Sequence, residues 1–281
     1  MKTTETKNST HPSQVPVFIL AGGLGTRLSE ETQLRPKPMI EIGGMPILLH
    51  IMKWYRRFGF EDFVICAGYL SWEIKEYFLH YSFRNNHLDI DHRNDPSQLP
   101  ASVGQNASQE RWRVRVLDTG VANMTGARLA QALDIIGKTQ KFEHFAVTYG
   151  DGVADMNLAD ELKFHVDHER IGSVLGVPPL SRFGELAVDE TGDVTGFLEK
   201  PEHKLGLING GFFFFRSSFR EYLAADSKCI LEKEPLERLA QHGQLKVYPH
   251  HGFWQAMDTL RDKFYLQRLW DEGKAPWHFT Q

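Results

Sequence analysis

Apolar residues recur along this chain in short uninterrupted runs that alternate with longer amphipathic stretches. The runs Val15–Ala21 and Phe63–Ala67 have the length and β-branched content of buried strands, and the first of them ends in a pair of glycines. Pro46–Phe58 instead carries apolar residues three and four positions apart and is followed by a glycine, which predicts a helix. Strands and helices keep alternating as far as His168, so the pattern predicts an α/β fold whose mostly parallel sheet is covered by helices.

The pattern changes after Gly172. Three short apolar segments then follow one another: Ser173–Val177, Glu185–Asp189 and Val194–Leu198. They predict a small antiparallel annex within residues 173–206, because a glycine turn joins the last two of them. Ile208–Phe215 contains four consecutive phenylalanines, which is typical of a strand buried on both faces, and we expect it to return to the main sheet. Residues 217–281 are expected to be mainly helical.

Two segments are too polar to contribute to a core. Residues 1–14 are predicted to be a disordered tail. Residues 84–111 are rich in Asn, Asp, Ser and Gln, so we expect a flexible surface loop that could act as a lid. The remainder, 15–281, is expected to form a single domain.

Composition excludes several classes of function. The chain has 281 residues, of which 41% are hydrophobic and 24% charged, so it is expected to be globular. Its formal net charge is −4 and it has no block of basic residues, which argues against a nucleic-acid partner. Its longest apolar runs fall well short of the ~20 residues of a spanning helix, so no membrane association is expected. Cys66 and Cys229 are the sole cysteines, which gives no disulfide framework and suits the cytoplasm.

A glycine-rich motif directly follows the first predicted strand, where open α/β sheets bind ligands. The sequence of residues 20–28 is Leu-Ala-Gly-Gly-Leu-Gly-Thr-Arg-Leu. Glycines allow backbone N–H groups to close around phosphate oxygens, and Arg27 adds a permanent positive charge. A P-loop would need Lys-Ser or Lys-Thr after the last glycine, and a dinucleotide fingerprint would need a small residue in place of Leu28. The alternative is a glycine-rich turn with an incidental arginine.

Two further motifs place single charged residues in restricted backbone. Lys37 stands between two prolines, which hold it in an extended conformation suited to presenting an ammonium group to a phosphate. Asp151 stands between two glycines at the end of an apolar strand, where a carboxylate can approach Mg²⁺ closely. A surface loop and an ordinary turn are the respective alternatives.

The second half of the chain offers candidates for sugar and metal. Glu199 and Lys200 end an annex strand and combine an acceptor for hydroxyl groups with a cation for a phosphate. Asn209 and Gly210 open the returning strand and offer an amide together with close backbone approach. Asp258 and Thr259 precede the last helix, where either would be an ordinary N-cap, and Asp258 could instead be a second magnesium carboxylate.

These motifs stand together in one order, as LAGGLGTRL, RPKPM, YGDG, EKP and NGGF. Over about residues 15 to 260 the chain thereby resembles the sugar-1-phosphate nucleotidyltransferase family. It is similar in more detail to the cytidylyltransferase group of that family, with which it shares TYGDGVAD, INGGFF, MDTLRDK and GKAPW. The resemblance implies a Rossmann-like α/β fold of the nucleotide-diphospho-sugar transferase type, with a small antiparallel annex that binds sugar.

The resemblance also assigns roles to residues of this sequence. The implied nucleotide-binding residues are Leu20, Ala21, Gly22, Gly23, Leu24, Gly25, Thr26, Arg27, Lys37, Asn123, Arg128 and Gly150. The implied sugar-phosphate-binding residues are Glu199, Lys200, Asn209 and Gly210. The implied metal ligands for Mg²⁺ are Asp151 and Asp258, and the implied catalytic residues are Arg27, Lys37 and Asp151. Three positions depart from the family pattern, since Arg35 replaces a residue that is often Lys, Asn123 replaces a small hydroxyl residue and Ala256 replaces a proline. The polar segment before Arg111 is also longer than is usual in the family.

The resemblance implies transfer of a cytidylyl group from CTP to α-D-glucose 1-phosphate, which yields CDP-glucose and pyrophosphate. It further implies a homo-oligomer, hexamers included, that works with Mg²⁺ in deoxysugar or surface-polysaccharide biosynthesis. Use of UTP or dTTP and a catalytically silent, ligand-sensing subunit of the same fold remain as alternatives.

Overall fold

The computed structural model of this chain describes residues 10–85, 88–90, 101–103, 111–179, 185–198 and 206–278. Its α-helices are α1 (Ser29–Thr32), α2 (Ile47–Arg57), α3 (Ser71–Leu79), α4 (Tyr81–Asn85), α5 (Thr125–Gly137), α6 (Leu158–Asp167), α7 (Glu234–Gln241) and α8 (Leu260–Asp271). Short 3-10 turns occur at Pro12–Gln14, Thr26–Leu28, Lys37–Met39 and Ser217–Tyr222.

The strands divide between a central sheet and short pairs. In chain order they are β1 (Val17–Ala21), β2 (Glu41–Ile42), β3 (Met45–Pro46), β4 (Asp62–Ala67), β5 (Leu88–Ile90), β6 (Ala101–Val103), β7 (Arg113–Asp118), β8 (His144–Tyr149), β9 (Gly152–Ala154), β10 (Gly172–Val177), β11 (Glu185–Val188), β12 (Val194–Leu198), β13 (Ile208–Arg216), β14 (Leu245–Pro249) and β15 (Trp254–Ala256).

The central sheet has seven strands in the order β14-β10-β13-β8-β1-β4-β7. Strand β1 runs parallel to β4 and β8, and β7 runs parallel to β4. Strand β13 is antiparallel to both of its neighbours, β8 and β10, whereas β14 is parallel to β10. The mostly parallel sheet predicted from the alternation of strands and helices is therefore confirmed.

Helices cover both faces of this sheet, which explains why β1 reads as an uninterrupted apolar run. Val17 and Ile19 join the hydrophobic cluster that includes α2, whereas Phe18 and Leu20 join the cluster on the opposite face that includes α5. All five residues of β1 are consequently buried. Removal of both faces from water selects continuous β-branched and aromatic residues in place of an apolar–polar alternation.

The antiparallel annex is smaller than the sequence predicts. The expected annex includes Ser173–Val177, but the structure places these residues in β10, inside the central sheet between β13 and β14. Strand β10 is almost wholly buried because helices lie on both sides of that sheet, and a local pattern does not reveal which partner a buried strand selects. The separate antiparallel pair consists of β11 and β12, within the described residues 185–198.

Three other predictions concern segments that the structure describes only in part: 84–111, 1–14 and 217–281. Within the segment 84–111, expected to be a loop, Leu88–Ile90 and Ala101–Val103 pair as antiparallel strands, whose alternating Leu-Asp-Ile and Ala-Ser-Val sequences suit that pairing. In the predicted tail 1–14, the described part contains the 3-10 turn Pro12–Gln14. Residues 217–281 contain β14 and β15 as well as helices. Of the helices in the described ranges, none is both long and apolar enough to cross a membrane.

Candidate functional site

A cleft of about 520 Å³ opens where β1 and β8 end. Parallel neighbours end at the same edge of a sheet, so the glycine loop after β1 and the aspartate after β8 lie side by side there. The cleft is lined by these residues predicted from the sequence: Leu20, Ala21, Gly22, Gly23, Gly25, Thr26, Lys37, Asn123, Arg128, Gly150, Asp151, Asn209, Gly210 and Asp258.

Four predicted site residues are not placed in this lining. Leu24 is half exposed, with 53% of its surface accessible, and does not line the cleft. Arg27 has its backbone in the 3-10 turn Thr26–Leu28, but its side chain lies outside the described part of the structure. Glu199 and Lys200 also lie outside the described residues.

The charged centre of the cleft is formed by one lysine and two aspartates. Lys37 Nζ donates to Asp151 Oδ2 at 2.6 Å and to Asp258 Oδ1 at 2.7 Å. The side chain of Lys37 is only 13% exposed. Burial lowers the pKa of Lys37, but its contacts with the two carboxylates raise the pKa by more, so the net pKa lies above its ordinary value. Lys37 is therefore a permanent cation in the cleft.

The prolines around Lys37 fix its direction. Pro36 has the extended conformation, with φ −65° and ψ 146°, but Lys37 begins the 3-10 turn Lys37–Met39, so the extended backbone predicted for Lys37 is wrong. The amide of Ile40 donates to the Lys37 carbonyl at 3.1 Å and closes this turn. Pro38 is buried and packs near Gly150, where an added Cβ would lie 2.9 Å from Pro38 Cγ. The glycine before Asp151 is thus required for the lysine turn to approach β8.

Asp258 reaches Asp151 through the antiparallel pairing of β9 with β15. In this pair Gly152 lies opposite Ala256, and the Met257 amide donates to the Asp151 carbonyl at 2.8 Å. Asp258 is held in turn by Asp262, whose Oδ2 accepts from the Asp258 amide at 3.1 Å. Asp262 thus completes the reciprocal N-terminal cap of α8 and also orients the backbone of Asp258.

The donor set of this centre suits Mg²⁺. Asp151 and Asp258 both contact the same ammonium nitrogen, so their carboxylates are close enough to face one cation. Among the described residues, no group of three or more His, Cys, Asp and Glu side chains could hold a metal. Mg²⁺ commonly binds one or two carboxylates and completes its coordination with water and substrate phosphates. The pair fits such a cation and does not fit a closed protein cage.

The guanidinium of Arg128 lies inside the wall of the cleft, and the side chain is 4% exposed. It donates hydrogen bonds to five oxygens, namely Gly22 O, Ala67 O, Thr119 Oγ1, Gly120 O and Val121 O. A Cβ added at Gly22 or at Gly68 would lie 2.2 Å from Arg128 Nη1. Both positions therefore need glycine, because any other side chain would collide with the guanidinium. The sequence predicted a nucleotide-binding arginine, and here Arg128 joins the glycine loop to the loops after β4 and β7.

The opposite wall carries Asn209, Gly210 and Tyr149. Asn209 Oδ1 accepts from the Gly211 amide at 2.8 Å, and the indole of Trp254 donates to the Gly210 carbonyl at 2.7 Å. Tyr149 and Trp254 line the cleft but were not among the predicted site residues. Tyr149 stands inside the quoted motif YGDG, directly before Gly150, so its position there could have identified it, whereas Trp254 lies outside the quoted motifs.

Comparison with known proteins gives consistent matches. The model of the Nucleotidyl transferase family matches residues 16–262. The chain is 45% identical over 259 residues to "Glucose-1-phosphate cytidylyltransferase" of Salmonella typhi, which covers 92% of this chain and 97% of that protein. It is 41% identical over 259 residues to "Probable glucose-1-phosphate cytidylyltransferase" of Bacillus subtilis, with the same coverage of 92% and 97%.

A solved structure has a similar fold at low sequence identity. It is a putative glucose-1-phosphate thymidylyltransferase from Bacillus anthracis in complex with sucrose, with a TM-score of 0.64 and 17% identity. The match covers 95% of this chain and 98% of that one. At this identity the likeness concerns the fold alone.

Proposed function

Because the chain belongs to the Nucleotidyl transferase family, we propose that it transfers the cytidylyl group of CTP to glucose 1-phosphate and releases pyrophosphate. The resemblance stated from the motifs is confirmed by the relatives, which are glucose-1-phosphate cytidylyltransferases at 45% and 41% identity over most of the chain. The product of the proposed reaction is CDP-glucose.

One observation carries the proposal. Lys37, Asp151 and Asp258 are far apart in the sequence, yet they meet in a cleft that also contains the glycine loop. A reaction between a triphosphate and a sugar phosphate brings two polyanions together, so it requires cations at their meeting point. A permanent lysine cation beside two carboxylates that suit Mg²⁺ meets this requirement.

The proposed reaction is a displacement at the α-phosphorus of CTP. An oxygen of the sugar phosphate forms the new P–O bond, and the bond from the α-phosphorus to the bridging oxygen breaks, so pyrophosphate leaves with the electron pair. A phosphate monoester has a second pKa of about 6 and is largely dianionic at pH 7, so the nucleophile needs no general base. The work left to the protein is alignment and charge neutralisation, which can contribute on the order of 7–11 kcal/mol.

Residues of this chain would divide that work. Lys37 would neutralise the reacting phosphates, and Arg27 would grip the triphosphate beside the backbone amides of the glycine loop. Asp151 and Asp258 would hold Mg²⁺, which when bound supplies positive charge at the phosphate oxygens. Arg128 would hold the loops that surround the nucleotide, since its guanidinium donates to their carbonyls.

The other wall would bind the sugar phosphate. Asn209 and Gly210 lie there in the cleft. Glu199 and Lys200 are proposed to contact the sugar and its phosphate as well. We also propose that the protein works as a homo-oligomer in the cytoplasm and that its product supplies deoxysugar or surface-polysaccharide synthesis.

The proposal is tested by the nucleotide that the protein uses. Purified protein is incubated with glucose 1-phosphate, Mg²⁺ and, in separate reactions, CTP, UTP, dTTP, ATP and GTP, and pyrophosphate release is followed. We expect CTP to give the highest kcat/KM. A preference for UTP or dTTP would replace the cytidylyl assignment, and CTP binding without turnover with any nucleotide would indicate a ligand-sensing subunit.

A further inference from the structure

A carboxylate that does not line the cleft bridges two of its walls. Glu232 Oε2 accepts from Thr125 Oγ1 at 2.7 Å, and Glu232 Oε1 accepts from the Tyr149 hydroxyl at 2.5 Å. Thr125 begins α5 and Tyr149 ends β8, and both of these residues line the cleft. Each carboxylate oxygen of Glu232 therefore holds one wall residue from behind.

The segment that carries Glu232 is fastened to the start of α5. The Met124 amide donates to the Ser227 carbonyl at 2.8 Å, the Ala127 amide donates to the Cys229 carbonyl at 3.1 Å, and the Leu231 amide donates to Thr125 Oγ1 at 2.9 Å. A Cβ at Gly126 would lie 2.6 Å from the Cys229 sulfur. These contacts fix the backbone of Glu232 relative to α5, so its carboxylate has a defined direction.

The Tyr149 hydroxyl links Glu232 to Asn209 through two hydrogen bonds. The Tyr149 hydroxyl donates its one proton to Glu232, and Asn209 Nδ2 donates to the same hydroxyl at 3.4 Å. The ring packs against Gly211, where an added Cβ would lie 2.5 Å from Tyr149 Cδ2.

The direction of this proton has a chemical consequence in the cleft. A hydroxyl that donates its proton to a carboxylate behind it offers only lone pairs on its other side. Asn209 is fixed as well, because its Oδ1 accepts from the Gly211 amide while its Nδ2 faces Tyr149. This wall therefore offers a hydrogen-bond acceptor on Tyr149 to a ligand that carries donor groups, as a sugar hydroxyl does.

We propose that Glu232 is a positioning residue for the sugar half of the substrate pair, acting through Tyr149 and Asn209. The proposal rests on the proposed function, since it takes the wall of Asn209 and Gly210 as the sugar-phosphate side. Glu232 touches neither substrate; it fixes the acceptor that receives a sugar hydroxyl and joins that wall to the first turn of α5.

The test compares KM values for the two substrates in the full-length protein with Mg²⁺. Glu232→Ala is expected to raise KM for glucose 1-phosphate about tenfold while changing KM for CTP less than twofold, because one well-placed hydrogen bond contributes about a factor of ten. Glu232→Gln is expected to recover most of the loss, since the amide oxygen still accepts from Tyr149. Glu237→Ala is the matched control, because Glu237 is an exposed acid of the same region, and it is expected to leave both KM values unchanged.

A double-mutant cycle separates positioning from general destabilisation. Tyr149→Phe is expected to resemble Glu232→Ala, and the double variant is expected to be no worse than either single variant because both changes break one chain of contacts. Equal losses for both substrates, or additive losses in the cycle, would overturn the role of Glu232. If Glu232→Ala does not fold, Tyr149→Phe is expected to show the selective rise in KM for glucose 1-phosphate, and Glu232→Gln is expected to stay close to the wild type.

The wild-type reaction keeps the two proposals distinct. Wild-type turnover with CTP and glucose 1-phosphate supports the proposed function, and an unchanged KM for glucose 1-phosphate in both Glu232→Ala and Tyr149→Phe then overturns the positioning role alone. Absence of wild-type turnover with every nucleotide overturns both.

Discussion

The ammonium nitrogen of Lys37 lies 2.6 Å from Oδ2 of Asp151, although the two residues are separated by 114 positions in the sequence. The contact joins the 3-10 turn Lys37–Met39, which follows α1, to the end of β8, and the same nitrogen also reaches Asp258. The single charge of Lys37 offsets only one of the two carboxylate charges, so the three groups together keep one negative charge. Phosphate ligands would offer Lys37 new anionic partners, while Mg²⁺ would offer a new cation to the aspartates.

Asp151→Asn keeps the shape of the side chain and removes its charge. We expect pyrophosphate release to fall at least a hundredfold, because an amide is a poor ligand for Mg²⁺ and a weaker partner for Lys37. The measurement is turnover with CTP and glucose 1-phosphate across a range of Mg²⁺ concentrations. Asp160→Asn, on the exposed first turn of α6, is the matched control and is expected to retain full activity. More than a tenth of wild-type activity in Asp151→Asn would contradict the metal role.

Arg128→Lys tests whether the cleft depends on one guanidinium to join its loops. A lysine has three donors on one nitrogen and does not reproduce the planar arrangement that reaches both Gly22 O and Gly120 O. We expect kcat/KM for CTP to fall more than tenfold. Arg238→Lys, in the exposed pair with Glu234 on α7, provides the comparison and is expected to retain wild-type kinetics. Wild-type kinetics in Arg128→Lys would show that the loops hold together without the guanidinium.

Asp262→Ala removes the carboxylate that completes the capping box of α8 with the N-cap Thr259 and that orients Asp258. Loss of an N-terminal cap of this kind costs about 1 kcal/mol of unfolding free energy. We expect that loss in urea unfolding, together with a higher Mg²⁺ requirement, because the Asp258 amide loses its partner. Asp271→Ala, at the other end of the same helix, should not change the Mg²⁺ requirement. A change in stability without a change in Mg²⁺ dependence would limit Asp262 to a structural role.

Glu161 is completely buried, and within the described part of the chain neither of its carboxylate oxygens has a hydrogen-bond partner. Burial raises the pKa of Glu161 to about 8 from an ordinary 4.5. Between these values the folded protein keeps a proton that the unfolded chain has released, so the unfolding free energy falls as the pH rises from 4.5 to 8.

Glu161→Gln removes this titration while preserving shape. We expect the variant to exceed the wild type in unfolding free energy at pH 8 by on the order of 4 kcal/mol, and the difference to shrink as the pH falls toward 4.5. Urea unfolding at several pH values measures it, with the exposed Glu190→Gln as the control. A difference that does not vary with pH would mean that Glu161 is ionised in the folded protein.

The sequence predicted those parts of the molecule that are encoded locally. The run that forms β1 and the glycine loop after it are each defined by neighbouring residues, so their structure follows from short-range rules. The extended backbone expected of Lys37 from its prolines is instead a 3-10 turn. The membership of β10 in the central sheet depends on its partners β13 and β14, and no local pattern specifies them. The sequence did not reveal Glu232 for the same reason. Its proposed role depends on a hydrogen bond from Tyr149, which lies 83 positions earlier in the chain.

The central claim is that one cleft joins two phosphorylated substrates, and ³¹P NMR of the wild-type reaction tests it most directly. Protein, Mg²⁺, CTP and glucose 1-phosphate are mixed, and the phosphorus resonances are followed with time. The account predicts that CTP and glucose 1-phosphate disappear together while a nucleoside diphosphate sugar and pyrophosphate appear in equal amounts. Conversion of CTP to CMP and pyrophosphate with glucose 1-phosphate unconsumed, or no conversion at all, would contradict it.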